Sequence, residues 1–165
     1  MTLLMNKKSA RFVIDPALGR LAKWLRIMGI DAHYQTAYQK LELEILLAEG
    51  RILLTRNRAL YNRLNPAIFI KSNNIQDQLK ELKENGFLPV ANKNWFKRCI
   101  ICNIPLESVQ IEDARGRIPE YAASQNIRGV KFCPSCQKHF WPGSHRVNIL
   151  AQVKNWGLSY LTDHQ

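Results

Sequence analysis

The sequence predicts an α/β domain built on a parallel sheet, followed by a small ribbon held by four cysteines. Three observations carry this. From residue 11 to about residue 90, short apolar runs alternate with segments of helical period; at these lengths such alternation implies right-handed crossovers and a parallel sheet. All four cysteines fall into two Cys-x-x-Cys pairs, Cys99 with Cys102 and Cys133 with Cys136. Between residues 95 and 147 the periodicity gives way to short runs and turn residues, the texture of a ribbon.

The elements follow in order. R-F-V-I-D (11–15) reads as a buried strand. Pro16 sits where the first turn of a helix starts. Leu18, Leu21, Ala22, Leu25 and Met28 continue at helical spacing to Gly29, which supplies the stop. The opposite face carries Arg20, Lys23 and Ile27, with Trp24 at its border. A-H-Y-Q (32–35) is a second short strand, and 41–49 a helix stopped by Gly50. R-I-L-L-T (51–55) is a strand, followed by a short helix that Asn65-Pro66 ends. A-I-F-I-K (67–71) is a strand, and 75–84 an amphipathic helix closed by Asn85-Gly86. A final helix is predicted over 148–157. The expected organisation is a flexible basic lead-in (1–10), an α/β domain (11–90), a ribbon (91–150) and a C-terminal helix or tail (151–165). Parallel sheets bind ligands at the carboxyl ends of their strands. Asp15, the segment Thr55 to Arg58, and Ser72 to Asn74 are therefore the positions of interest.

Four thiolates in two such pairs can surround one zinc ion tetrahedrally, and the segment 103–132 between them fits a ribbon with an extended hairpin. A disulfide framework would suit a secreted chain, but Met1 to Arg11 does not read as a signal peptide. A thioredoxin-like site needs only one pair. Four sulfurs fill the coordination shell, so the zinc is read as structural and His139 and His145 are not needed as ligands. Hydrophobic residues make up 46% of the chain, enough for a core. No apolar run approaches the ~20 residues of a membrane helix. The expectation is a soluble, cytoplasmic protein with no membrane partner.

Lys and Arg number 24 against 13 acids, a net charge of +11. That excess points to a polyanion, nucleic acid being the usual one. Near the strand ends stand Arg20, Lys23, Arg56, Arg58 and Arg63. The ribbon carries Lys97, Arg98, Arg115, Arg117, Arg128, Lys131, Lys138 and Arg146, interleaved with Trp95, Phe96, Tyr121, Phe132, Phe140 and Trp141. Basic residues among aromatics suit unpaired RNA, whose bases stack on rings. Trp141 is expected to be exposed, and W-P-G-S-H to be a turn presenting Ser144, His145 and Arg146. Each site has a plainer reading: the cations are ordinary solvated faces, Phe132 and Phe140 pack around the knuckle, Asp15 caps the helix after it, and Asn57 and Asn73 cap theirs.

Several strings together resemble one family. F-V-I-D-P-A-L-G-R-L-A-K-W-L-R-I-M-G-I-D, G-R-I-L-L-T-R-N-R, R-C-I-I-C-N-I-P-L and F-C-P-S-C-Q-K-H-F-W-P-G-S-H are similar to the PIN-like ribonuclease domain found at the C-terminus of the Mut-seven exonucleases and as a stand-alone prokaryotic protein. The resemblance implies a PIN-like parallel-sheet sandwich with a zinc ribbon behind it, and an RNA-cleaving role. In such nucleases clustered carboxylates hold magnesium or manganese, which activates a water and neutralises the phosphate. Asp15 matches the first acid. Asn57 stands where the family usually has aspartate, and the acids typical near Lys40 and Leu41 and near Asn73 and Asn74 are absent. Glu42 and Glu44 are the nearest substitutes. The resulting expectation is an RNA-binding protein that grips structured RNA, such as tRNA or ribosomal RNA, with hydrolysis weak or absent. Two alternatives stand beside it: an active ribonuclease using Asp15, Glu42 or Glu44, and Asn57, and an adaptor that docks a protein or ribonucleoprotein.

Overall fold

Four short strands, β1 (Phe12–Ile14), β2 (Ala32–Tyr34), β3 (Ile52–Thr55) and β4 (Ala67–Phe69), form a parallel sheet in the order β2-β1-β3-β4. They belong to a computed structural model that describes residues 7–88, 93–124 and 128–158. Strand side chains alternate between faces, and the two faces bury different sets. Phe12 and Ile14 pack with Leu21 and Leu25 of α1 (Gly19–Ile27) and with Leu79 and Leu82 of a later helix, Ile75–Glu84. Val13 and Leu53 pack with Leu43 of α2 (Lys40–Ala48) and Leu60 of α3 (Arg58–Arg63). With Ile75–Glu84 as α4, α1 and α4 cover one face and α2 and α3 the other. The connections leaving β1 and β3 therefore depart on opposite sides, so their carboxyl ends flank the crevice where open sheets bind ligands.

The ribbon is a three-stranded antiparallel sheet of β5 (Glu107–Ser108), β6 (Lys131–Phe132) and β7 (His139–Phe140). The segment between β5 and β6 is not the extended hairpin expected. It carries two short helices, α5 (Ile111–Ala114) and α6 (Glu120–Ser124), around a small core of Ala114, Ile118, Ala122 and Val130. Helices of one turn are too short to leave a periodic signature.

Other expectations change as well. The first helix opens with a 3-10 turn, Pro16–Leu18, before α1. Ile27, read as facing away from the core, and Trp24, read at the border of that face, are 3% and 9% exposed. The last helix, α7 (Ser144–Asn155), covers that side: Ile149 and Val153 join the α1 core, and the rings of Trp24 and Trp156 lie 4.8 Å apart. This helix starts before the predicted residue 148 and runs through the expected boundary at 150. Ser144 to Arg146 are thus its first turn and not a free loop. Lys7–Ser9 form a 3-10 turn, Lys7 lies over the Phe87 ring and Ala10 packs on the core, so this part of the lead-in is attached. The rest of the lead-in (1–6), the boundary at 90–91 and the tail from 159 lie outside the described residues. Among the described residues, no helix is long and apolar enough to cross a membrane.

Candidate metal centre and strand-end site

The two cysteine pairs fold into matching knuckles. In the first, the Cys99 N–H donates to the Ile104 carbonyl (2.8 Å), the Asn103 N–H to the Cys99 carbonyl (2.9 Å) and the Cys102 N–H to the Cys99 Sγ (3.3 Å). In the second, Cys133 donates to Lys138 (2.9 Å), Gln137 to Cys133 (2.8 Å) and the Cys136 N–H to the Cys133 Sγ (3.5 Å). Both need a left-handed residue after the second cysteine, Asn103 (φ 64°) and Gln137 (φ 57°). The four sulfurs lie within 4.8 Å of one another, and Cys99 and Cys136 are 3.8 Å apart. Four thiolates around a tetrahedral ion with bonds of ~2.3 Å take a spacing of ~3.8 Å. Burial pushes the Cys99 thiol up to about 12, so a cation is what would hold it as thiolate at neutral pH. Among the described residues this is the one set of three or more His, Cys, Asp or Glu side chains close enough to share an ion. His139 and His145 are not in it.

A polar network that sequence reasoning missed ties the first knuckle to the amino end of the sheet. Arg26 is 6% exposed. Its guanidinium donates to the Ala32 carbonyl (2.9 Å) and to the Ile100 (3.0 Å) and Ile101 (2.9 Å) carbonyls of the knuckle. The Asn103 side chain accepts from the Ala32 N–H (2.9 Å) and donates to Asp31 (2.7 Å), which pairs with Arg51 at 2.6 Å. Burial would raise the Asp31 carboxyl, but the hydrogen bonds from Arg51 and Asn103 hold it below the usual range. Gly29, read as a helix stop, has φ 82°, and a Cβ there would sit 2.3 Å from the Asn94 carbonyl oxygen. Only glycine lets the ribbon's leading segment pass this close.

At the carboxyl end of the sheet, Asp15 and Thr55 meet across the β1–β3 crevice. Asp15 is 7% exposed. One carboxylate oxygen accepts from the Ala17 N–H (2.9 Å), making Asp15 the N-cap expected, and the other accepts from the Thr55 hydroxyl. The Thr55 oxygen in turn accepts from the Asn57 N–H (2.9 Å). Asn57 caps α3 through the N–H groups of Ala59 and Leu60. The cap of α4 is Asn74, not Asn73, whose side chain accepts instead from Arg56. Glu42 accepts from the Gln39 N–H (2.8 Å) in the capping box of α2, and Glu44 pairs with Lys40 on the surface at 3.7 Å. Glu81 folds back onto the N–H groups of Lys71 (3.0 Å) and Ser72 (2.7 Å). No three carboxylates among the described residues come together here.

The basic residues divide. Arg98, Lys131, His145 and Arg146 line one cleft of about 610 Å³ between ribbon and α7, together with Trp141. Trp141 is half-buried against the α5–α6 core and not exposed as expected, because that unforeseen pair of helices covers it. Arg20, Lys23, Arg56, Arg58, Arg117 and Lys138 are exposed and lie outside the cleft. Arg58 also stacks on the Phe69 ring at 4.7 Å.

No curated protein and no solved structure matches the chain significantly. A family model, the Mut7-C RNAse domain, matches residues 10–153, which takes in the sheet, the crevice, the cysteine cluster and nearly all of α7. The chain belongs to the Mut7-C RNAse domain family, and its role is nuclease-like or RNA-related.

Proposed function

We propose that this protein binds structured RNA, tRNA or ribosomal RNA being the class in view, and cleaves it weakly or not at all. The observation that carries this is the state of Asp15. Both of its oxygens are engaged, by Ala17 and Thr55, and Asn57 brings no charge beside it. Magnesium and manganese prefer several charged oxygens. A single committed carboxylate is a poor host, whereas the cations Arg56 and Arg58 are well suited to phosphate. The cysteine cluster holds zinc, the ion that fits four thiolates at this spacing, and its role is structural. Cysteines paired at this spacing around a metal, with no disulfide framework, suit a reducing compartment, which supports the cytoplasm as the place of action.

The test is incubation of end-labelled total RNA with zinc-loaded protein, with magnesium or manganese and with EDTA, beside Asp15→Ala. RNA retained uncut, with affinity falling steeply as salt rises, is the expected result. Metal-dependent cutting that disappears in Asp15→Ala would instead establish an active ribonuclease, the reading that the surviving Asp15 favours.

A further inference from the structure

The cleft between ribbon and α7 has walls of one chemistry and a rim of another. Phe96, Phe140 and Trp141 line it, and all three are half-buried. Lys97, Lys131 and Arg146 also line it, and the described lining residues include no carboxylate. Lys131 donates to the neutral Ser108 hydroxyl (2.7 Å), and no carboxylate among the described residues pairs with it. The Arg146 guanidinium lies 4.7 Å over the Phe96 ring, a planar cation on an aromatic face that a base can join or displace. Phe96 itself holds φ 58°, a conformation bulky residues seldom adopt. Its N–H donates to the Ile27 carbonyl (2.8 Å), which fixes it there. The indole N–H of Trp95, another lining residue, is buried without an acceptor.

We propose that this cleft is a binding site for single-stranded RNA, taking unpaired bases between the aromatic rings while Lys97, Lys131 and Arg146 hold the flanking phosphates. The inference rests on the reading of the protein as an RNA binder and adds which form of RNA it takes, and where. Half-buried aromatics with cations and no acids match a nucleotide better than an apolar peptide or lipid tail, which would leave the rim cations without partners. A duplex keeps its bases stacked inside and cannot offer them to the rings. The site also has a direction. Arg20, Lys23 and Ile27 follow one another at i, i+3 and i+7 on α1; the first two are exposed and the third lines the cleft. Seven residues of helix span ~10 Å. One strand with its bases in the cleft would lay its backbone along this stripe toward Asp15 and Thr55.

The experiment is fluorescence anisotropy of labelled 12-nucleotide single-stranded RNA and of a hairpin RNA, with zinc-loaded full-length protein. The variants are Trp141→Ala, Lys97→Glu with Lys131→Glu, and Arg56→Glu with Arg58→Glu. Both cleft variants should weaken single-strand binding about ten-fold or more and hairpin binding by less, whereas Arg56→Glu with Arg58→Glu should weaken both RNAs alike. The charge variant stands alone if loss of Trp141 disturbs the α5–α6 core. Wild-type binding of RNA that both cleft variants retain in full would overturn the cleft assignment while RNA binding itself stands. Absence of any RNA binding by the wild type would overturn both. Saturation by a labelled acidic, phenylalanine-rich peptide with no response to RNA would show that the cleft serves a protein partner instead.

Discussion

The two ends of the parallel sheet are built on opposite principles. At the amino end, Arg26, Asp31, Arg51 and Asn103 form a closed network whose hydrogen bonds reach from β2 to the cysteine knuckle. Nearly every polar atom there has a partner. At the carboxyl end, one carboxylate is committed to its own helix cap and a threonine, while Arg56 and Arg58 stand exposed beside it. The first arrangement specifies a structure. The second leaves positive charge facing solvent at the position where such folds meet their ligands. Charge excess alone therefore says little about partners; what matters is which cations already have acids.

The comparison breaks most visibly at the metal centre. Removing the ion with a strong chelator, or changing Cys99 to Ser, should unfold the ribbon, because binding of a structural zinc contributes ~10 kcal/mol or more to folding in small zinc domains. Metal content measured beside a thermal melt checks it; a chelated protein with an unchanged melt would contradict a structural role. The amino-end network comes next. Asp31→Ala removes the shorter of the two ion pairs of Arg51, whose side chain is only 12% exposed, and leaves it Glu49 at 3.6 Å and the Phe12 carbonyl at 3.3 Å; it should destabilise by about 1–3 kcal/mol in a denaturant titration. Because the folded Asp31 carboxyl lies below its ordinary value, its contribution is complete above the unfolded value of ~3.9 and is lost as pH falls through the folded value. The Asp31→Ala variant should accordingly lose less stability than wild type on acidification in that range.

At the carboxyl end, Asn57→Asp keeps a good helix cap, so stability should move by less than about 0.5 kcal/mol. It should nevertheless raise manganese affinity, read by calorimetry, by returning a second carboxylate to the crevice. No gain in metal binding or cleavage would remove the main support for a decayed nuclease centre. The smallest effect belongs to Glu44→Ala. Its exposed pair with Lys40 is worth about 0.3–0.5 kcal/mol, and RNA binding should not change.

Much of the fold was legible because its signals are local. β1 and β3 are uninterrupted apolar runs, Gly29 and Gly50 end their helices, and the cysteine pairs state their own geometry through spacing. Asp15 was legible as a cap because Asp-Pro is a local pattern. What escaped depended on neighbours distant in sequence. Trp24 and Ile27 look half-exposed on a helical wheel until α7 arrives from the other end of the chain. Nothing local marks Arg26 as buried, because its partners are carbonyls at 32, 100 and 101. Glu42 looked like a substitute ligand, and it serves instead in the capping box of α2. Trp141 seemed free beside Pro-Gly because α5 and α6, which cover it, are too short to show a period.

The return of α7 to α1 has a consequence for how the chain comes together. Docking Ile149 beside α1 must close the long stretch of ribbon that follows Trp95. An ion bridging Cys99 and Cys136 short-circuits most of that stretch. The effective loop shrinks about threefold, and its closure entropy falls by about 1 kcal/mol. A metal bound there would thereby favour attachment of the C-terminal helix, and a protease acting on that helix should cut metal-loaded protein more slowly than chelated protein.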